Sequence, residues 1–179
     1  MVSTTLANLD ILEEMKTNEG QRLKEISDNQ PIMMVFLRHF GCVFCKAAMD
    51  EIASKRKEFE DGGIKLVFVH MSDHATADKY FIDFNLKGVA HVSDPEKKFY
   101  RSFGLVRGSF TQLFGLQTWI KGYQLSQKGF QQESGKHLGD SFQMPGVFII
   151  YQGEVKESFV HRIASDAPDY YQLAQCCML

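Results

Sequence analysis

Apolar positions along this chain fall into short, wholly apolar runs separated by longer stretches in which they recur every three or four residues. Ile32 to Leu37 is a continuous apolar run, as expected of a strand buried on both faces. From Cys45 to Glu60, Ala48, Ile52 and Phe59 recur at helical spacing while Asp50, Glu51, Lys55 and Arg56 are free to meet water, and Gly62-Gly63 supplies a stop. Ile64 to Val69 reads as a second strand, after which Ser72 or Asp73 can cap a helix reaching about Phe84. Ser93-Asp94-Pro95-Glu96 has the form of a capping box, predicting a short helix to Gly104. Val147 to Tyr151 and Glu154 to His161, joined at Gln152-Gly153, predict a β-hairpin. Asp166-Ala167-Pro168-Asp169 opens a last helix, since proline is tolerated in a first turn where its missing N–H costs nothing.

Strands alternating with helices predict an α/β layer fold. One stretch breaks the rhythm. Gly108 to Ser141 carries a predicted helix over Phe110 to Tyr123 and then a polar loop with Gly129, Gly135 and Gly139; loops beyond about a dozen residues are usually functional or disordered. It reads as an insertion, about residues 108–141, on a single domain spanning 1–179. There is no internal repeat.

Composition narrows the classes. With 44% hydrophobic and 23% charged residues the 179-residue chain is neither disordered nor short of core. A net charge of -2 gives no broad positive field for nucleic acid or anionic lipid. No apolar run approaches the roughly 20 residues that span a bilayer, so no membrane partner is expected. Met1 to Glu14 lacks a basic start followed by a continuous apolar stretch, and Asp10, Glu13 and Glu14 make it acidic, so a cytoplasmic protein is expected. In a reducing compartment the spacing of the four cysteines matters more than their number.

Cys42-Val43-Phe44-Cys45 sits where the first strand ends and a helix begins. Residues three apart on a helix lie about 5–6 Å apart at Cβ, and a disulfide needs about 3.5–4.5 Å, so a cysteine in the pliable first turn closes on its neighbour with small adjustment. The free amides and positive dipole of a helix N-terminus also stabilise a thiolate there. The rival chemistry is a zinc site using His70 and His74, an H-x-x-x-H pair, with the two cysteines; the 24 residues from Cys45 to His70 are twice the usual finger spacing, and the expectation is a metal-independent protein. Pro145, directly before a predicted buried strand, can be an ordinary trans proline or a cis one.

The CxxC at a strand-to-helix junction, Ser93-Asp-Pro-Glu-Lys-Lys-Phe-Tyr-Arg-Ser-Phe-Gly104 and Met144-Pro-Gly-Val-Phe-Ile-Ile150 together resemble the thioredoxin fold in its peroxiredoxin-like branch. The resemblance is to the alkyl hydroperoxide reductase and thiol-specific antioxidant superfamily, in particular its selenoprotein L-related redox proteins, and covers about Glu19 to Leu173. It implies a three-layer sandwich with a central mixed sheet flanked by helices, with the helical insertion before the C-terminal hairpin and Pro145 as a cis proline facing the cysteine pair. Peroxiredoxins carry P-x-x-x-[TS]-x-x-C. Laying Cys45 on that cysteine puts Arg38 at the proline and Cys42 at the Thr/Ser, so the peroxide pattern is broken and a second thiol replaces it. Arg162 is placed by the same resemblance as the arginine beyond the hairpin, while His39 reads as a loop side chain.

Cys176-Cys177-Met178-Leu179 nominally matches a C-a-a-X box and could also be a resolving pair, but it reads as a frayed tail with two incidental thiols. These readings converge on a thiol–disulfide oxidoreductase without bound cofactor, acting through a reversible Cys42–Cys45 disulfide. Its partners would be a disulfide or hydroperoxide substrate and a thioredoxin- or glutathione-type reductant, and the assembly a homodimer. A thiol-dependent peroxidase is the alternative enzyme, and a non-catalytic module whose 110–141 insertion contacts a partner protein is the alternative outside catalysis. Cys42, in the loop before the helix, is expected to be the more exposed thiol and the attacker.

Overall fold

A computed structural model describes residues 10–179; residues 1–9, on which much of the reading of the N-terminus rests, lie outside them. Five strands form a mixed sheet in the order β3-β2-β1-β4-β5: β1 (Ile32–Phe36), β2 (Lys65–His70), β3 (Ala90–Ser93), β4 (Gly146–Tyr151) and β5 (Glu154–Val160). The central strand β1 runs parallel to β2 and antiparallel to β4. Its continuous apolar sequence follows from this position, because successive side chains point to opposite faces and both faces are covered. Met33 and Val35 join one core with Met49, Ile52, Phe59, Phe81 and Tyr170. Ile32, Met34 and Phe36 join the other with Leu12, Leu23, Tyr100, Phe103 and Phe148.

The helices are α1 (Ile11–Glu14), α2 (Leu23–Asn29), α3 (Val43–Ser54), α4 (Arg56–Asp61), α5 (His74–Asp83), α6 (Lys98–Ser102), α7 (Phe110–Phe114), α8 (Leu116–Gln127) and α9 (Tyr170–Ala174). The three layers of the expected α/β, thioredoxin-like sandwich are present. Helices α3, α4, α5 and α9 cover the first face, and α1, α2 and α6 the second.

Several boundaries correct the sequence reading. The helix expected over Cys45 to Glu60 starts at Val43 and is broken at Lys55, whose φ of -106° and ψ of 4° leave the helical region. The Ser93–Glu96 capping box does not form. Ser93 ends a strand, its hydroxyl donates to the Ser72 carbonyl at 2.6 Å, and Asp94 instead accepts the amides of Lys98, Phe99 and Tyr100 at 2.9, 2.8 and 3.2 Å. Glycine 115, with a ψ of 163°, splits the insertion helix in two. The hairpin turn has Gln152 at φ 52° and Gly153 at φ 70°, the doubly left-handed turn whose twist suits paired strands. Asp73 caps α5 through the Thr76 amide and Asp169 caps α9 through the Gln172 amide.

The C-terminal tail is docked rather than frayed: the Leu179 amide donates to the Gly62 carbonyl at 3.1 Å and Met178 packs on the first core. Pro145 follows a trans peptide, since the described residues contain no cis bond. The chain before it is held extended, with the Met144 amide on the Val106 carbonyl at 3.1 Å and the Gly108 amide on the Phe142 carbonyl at 2.7 Å, and extended backbone is what a residue preceding proline prefers.

Candidate active site at the end of the central strand

Strand β1 delivers the chain to the site. The Leu37 amide bonds to the Val69 carbonyl at 2.9 Å, after which residues 38–41 turn and the Cys42 amide closes onto the His39 carbonyl at 3.2 Å. Cys42 is the N-cap of α3, with extended φ and ψ of -77° and 125°, and Cys45 lies in the first turn. Neither is on the surface: Cys42 is 1% and Cys45 4% exposed, which corrects the expectation that Cys42 stands out in the loop.

The pair is electrically asymmetric. A hydrogen bond from Cys45, aided by the Arg38 charge and by backbone amides of Cys45 and Phe44, outweighs burial and lowers the Cys42 thiol to about 6. Cys45, as donor to Cys42 and buried, is pushed well up. Its Sγ also accepts the Arg38 amide at 3.3 Å. Cys42 is thus the resident thiolate and Cys45 the protonated partner, as helix N-termini favour for the thiol closer to the free amides.

Arg38 is the residue whose importance the sequence reading missed. It is 5% exposed, and its Nε and one terminal nitrogen are buried without a partner. A charge in the loop after an all-apolar strand is the available signal; the peroxiredoxin pattern only lays that position on its proline. Such a guanidinium calls for an anion, and Cys42 supplies one.

Two hollows meet at these residues. A small inner cavity of about 20 Å³ is lined by both cysteines, Arg38, Phe44, Pro145, His161 and Tyr170. A wider cleft of about 620 Å³, open to solvent, has Arg38 and Cys42 on its floor and Leu113, Phe114, Trp119, Tyr123 and Phe130 among its walls. Cys42 borders both hollows, whereas Cys45 borders the inner one. Pro145 therefore does sit with the thiol pair.

Arg162 does not. Its side chain is exposed in a surface hollow beside Glu157 to Val160, while its amide is held by Asp166 at 2.7 Å. Its neighbour His161 faces the inner cavity instead, with Nδ1 buried and unpaired and its protonation depressed to about 4 by burial. His39, 3% exposed and likewise lowered to about 4 by burial, is a buried neutral ring rather than a mobile loop side chain.

The insertion is fastened to this site. The buried Lys46 ammonium, on α3, donates to the Gln131 carbonyl at 2.8 Å and pairs with Glu133, which also accepts the Tyr80 hydroxyl at 2.8 Å. The Glu133 amide reaches the Gly41 carbonyl at 2.8 Å. At Gly41 a Cβ would lie 2.2 Å from the Glu133 carbonyl oxygen, so only glycine fits.

The histidines named as the rival zinc ligands do not join the thiols. His70 and His74 gather with His91, and neither cysteine belongs to that group. At the tail, where both thiols are free, Cys176 is pushed up to about 12 by desolvation and its hydrogen bond to Cys177, which makes it a poor nucleophile.

A mixed sheet with a dithiol at the strand-to-helix junction defines a thioredoxin-fold, peroxiredoxin-like protein. Residues 51–165 match the family described as AhpC/TSA antioxidant enzyme, a match that begins just beyond the cysteine pair. The chain belongs to that family. It is 24% identical over 178 residues to the prostamide/prostaglandin F synthase of Danio rerio, covering 97% of this chain and 87% of that one. It is 23% identical over 164 residues to the thioredoxin-like protein AAED1, chloroplastic, of Arabidopsis thaliana, covering 87% of this chain but 65% of that relative's length. Among solved structures, peroxidoxin BcpB of Mycobacterium tuberculosis shares the fold, with a TM-score of 0.62 and 15% identity over 90% of this chain and 89% of that one.

Proposed function

We propose that the protein is a thiol-based redox enzyme that reduces apolar organic hydroperoxides through Cys42 and turns over through a Cys42–Cys45 disulfide. The observation that carries this reading is that Cys42, the thiol lowered to about 6, is the one bordering the aromatic-walled cleft. The Cys42 thiolate attacks the outer peroxide oxygen, the O–O bond breaks, and Cys42 becomes a sulfenic acid while the alkoxide takes the Cys45 proton. The Cys45 thiolate then attacks the Cys42 sulfur, forming the disulfide and expelling hydroxide, which leaves as water. A thioredoxin- or glutathione-type thiol returns both sulfurs to the reduced state, and the cytoplasm is the compartment such a cycle calls for.

Exchange with a protein disulfide, like reduction by a thioredoxin-type partner, needs the partner's sulfur to enter the cleft to a Cys42 that is 1% exposed, whereas a small peroxide reaches it directly. The cleft admits a small, bulky molecule instead. From the name of the zebrafish relative we carry over a lipid-like substrate. Cumene hydroperoxide and hydrogen peroxide, each supplied with dithiothreitol, test the reading. Faster turnover of cumene hydroperoxide, with a Cys42–Cys45 disulfide seen by intact mass, supports it; turnover surviving Cys42→Ser sinks it.

A further inference from the structure

At the β3 edge of the sheet, beyond Phe40 and Phe81 from the thiols, three imidazoles converge. His70 ends β2, His91 lies on β3, and His74 opens α5, so the β2–α5–β3 crossover brings them together. His70 Nε2 is 2.8 Å and His74 Nδ1 3.3 Å from the single nitrogen His91 Nδ1. All three ligand atoms lie within 4.8 Å of one another. His91 Nε2 meets the Asp78 carboxylate at 3.1 Å.

That last contact fixes the tautomer. An imidazole facing a carboxylate carries its proton on that nitrogen, so His91 Nδ1 is a bare lone pair pointing at its two neighbours. One lone pair accepts only one hydrogen, yet two ring nitrogens compete for it. In the metal-free protein His70 gives its proton there, and its own Nδ1 is then left buried with no partner. Placing the His70 proton on Nδ1 instead frees Nε2, 2.8 Å from His91 Nδ1, as a second lone pair. His74 Nδ1 supplies a third.

We propose that His70, His74 and His91 form a three-nitrogen site for a divalent zinc ion, with Asp78 holding His91 from behind. Nitrogens bound tetrahedrally at about 2.0 Å from zinc stand roughly 3.3 Å apart. The His74–His91 spacing of 3.3 Å already matches this, the 2.8 Å His70–His91 pair opens by about half an ångström, and His70 and His74, within 4.8 Å of each other, turn toward the same ion. Three imidazoles suit zinc chemically. His74 is exposed while His70 and His91 are buried, so the fourth position faces solvent and takes a water. A carboxylate behind a ligating histidine is the usual outer support of such sites. The site departs from the expectation of a metal-independent protein, and it uses neither thiol. It also adjoins the active loop, since the Phe40 ring packs on His70 at 5.2 Å and on Tyr80 at 4.9 Å.

The test is zinc titration of the full, reduced chain against a chromophoric chelator, with folding of each variant checked by circular dichroism. The expected result is one zinc per chain, affinity reduced more than about tenfold in His74→Ala and about 10- to 100-fold in Asp78→Asn, and no change in a Cys42→Ser, Cys45→Ser double variant or a Cys176→Ser, Cys177→Ser one. His74 and Asp78 are both exposed, so neither change should unfold the chain. X-ray absorption of the zinc-loaded protein should show nitrogen and oxygen neighbours without sulfur. Substoichiometric uptake, unchanged affinity in His74→Ala, a sulfur shell, or loss of binding in either cysteine variant overturns the proposal and leaves a hydrogen-bonded histidine cluster only.

Discussion

The Arg38 amide donates to Cys45 Sγ at 3.3 Å, while the Arg38 guanidinium, buried with unpaired nitrogens, biases the neighbouring Cys42 toward its anion. One residue therefore serves both sulfurs, through its backbone for one and its side chain for the other. The two thiols take opposite protonation states within a single helical turn because the Cys45 hydrogen bond stabilises the Cys42 anion, with the Arg38 charge as a further support.

That asymmetry is measurable. Cys42 should alkylate with iodoacetamide along a pH profile centred near 6, so that about nine-tenths of it is ionised at pH 7. Cys45→Ala removes the strongest stabiliser of the thiolate and should move the midpoint up by at least about one pH unit. A midpoint that stays near 6 in Cys45→Ala would mean the hydrogen bond between the thiols does not set it.

Arg38→Met should separate stability from activity. The substitution removes the desolvation cost of a buried charge whose nitrogens lack hydrogen-bond partners, and Cys42 regains its proton so that no buried anion is left unpaired, so the urea midpoint should hold or rise. Peroxide turnover should drop about tenfold or more as Cys42 loses its cationic neighbour. Earlier unfolding with unchanged turnover would show Arg38 to be a packing residue.

One buried and one part-buried ring make the fold acid-sensitive. His39 and His161 are both lowered to about 4 by burial, from an unfolded value of about 6.5. Between those values the unfolded chain binds more protons than the folded one, so stability is whole above about pH 6.5 and falls as pH drops toward 4. Each ring should account for on the order of 2–3 kcal/mol across that window. Urea unfolding at pH 7 and pH 5 checks this, and His161→Phe should flatten part of the slope.

The cleft wall should discriminate by substrate size. Trp119, 70% exposed and lining the cleft above Cys42, should on replacement by Ala raise KM for cumene hydroperoxide about 5- to 20-fold. The hydrogen peroxide rate should be untouched. Equal effects on both substrates would place the change at the thiol rather than at the wall.

Much of the scaffold was readable because its signals are local. The run Ile32 to Leu37 spells a doubly covered strand without outside help, and Gln152-Gly153 names its own turn. Strand β3 was not readable: four residues including a histidine carry no β pattern, and its place is decided by pairing with β2. Helices α1 and α2, four and seven residues long, are too short to show a period and are held by the second core. At the site, the cysteine spacing was legible but thiol exposure was not, because burial of Cys42 depends on Gln132 and Glu133 folding back from about ninety residues away in sequence. His161 was likewise invisible as a site residue, and Arg38 showed only as a charge after an apolar strand, since nothing local records that their side chains turn toward the same cavity.

The close approach of Glu133 to Gly41 has a consequence for how such a chain can change. A lineage that shortened residues 108–141 would at once bare the Gly41 carbonyl, strand the Lys46 ammonium without its counter-ion and open the sulfur to bulk water. The appendage and the sulfur site are thus a single heritable unit. Transplanting the dithiol onto another scaffold would require Gly41, Lys46, Tyr80 and the Gln131–Glu133 strap to travel together.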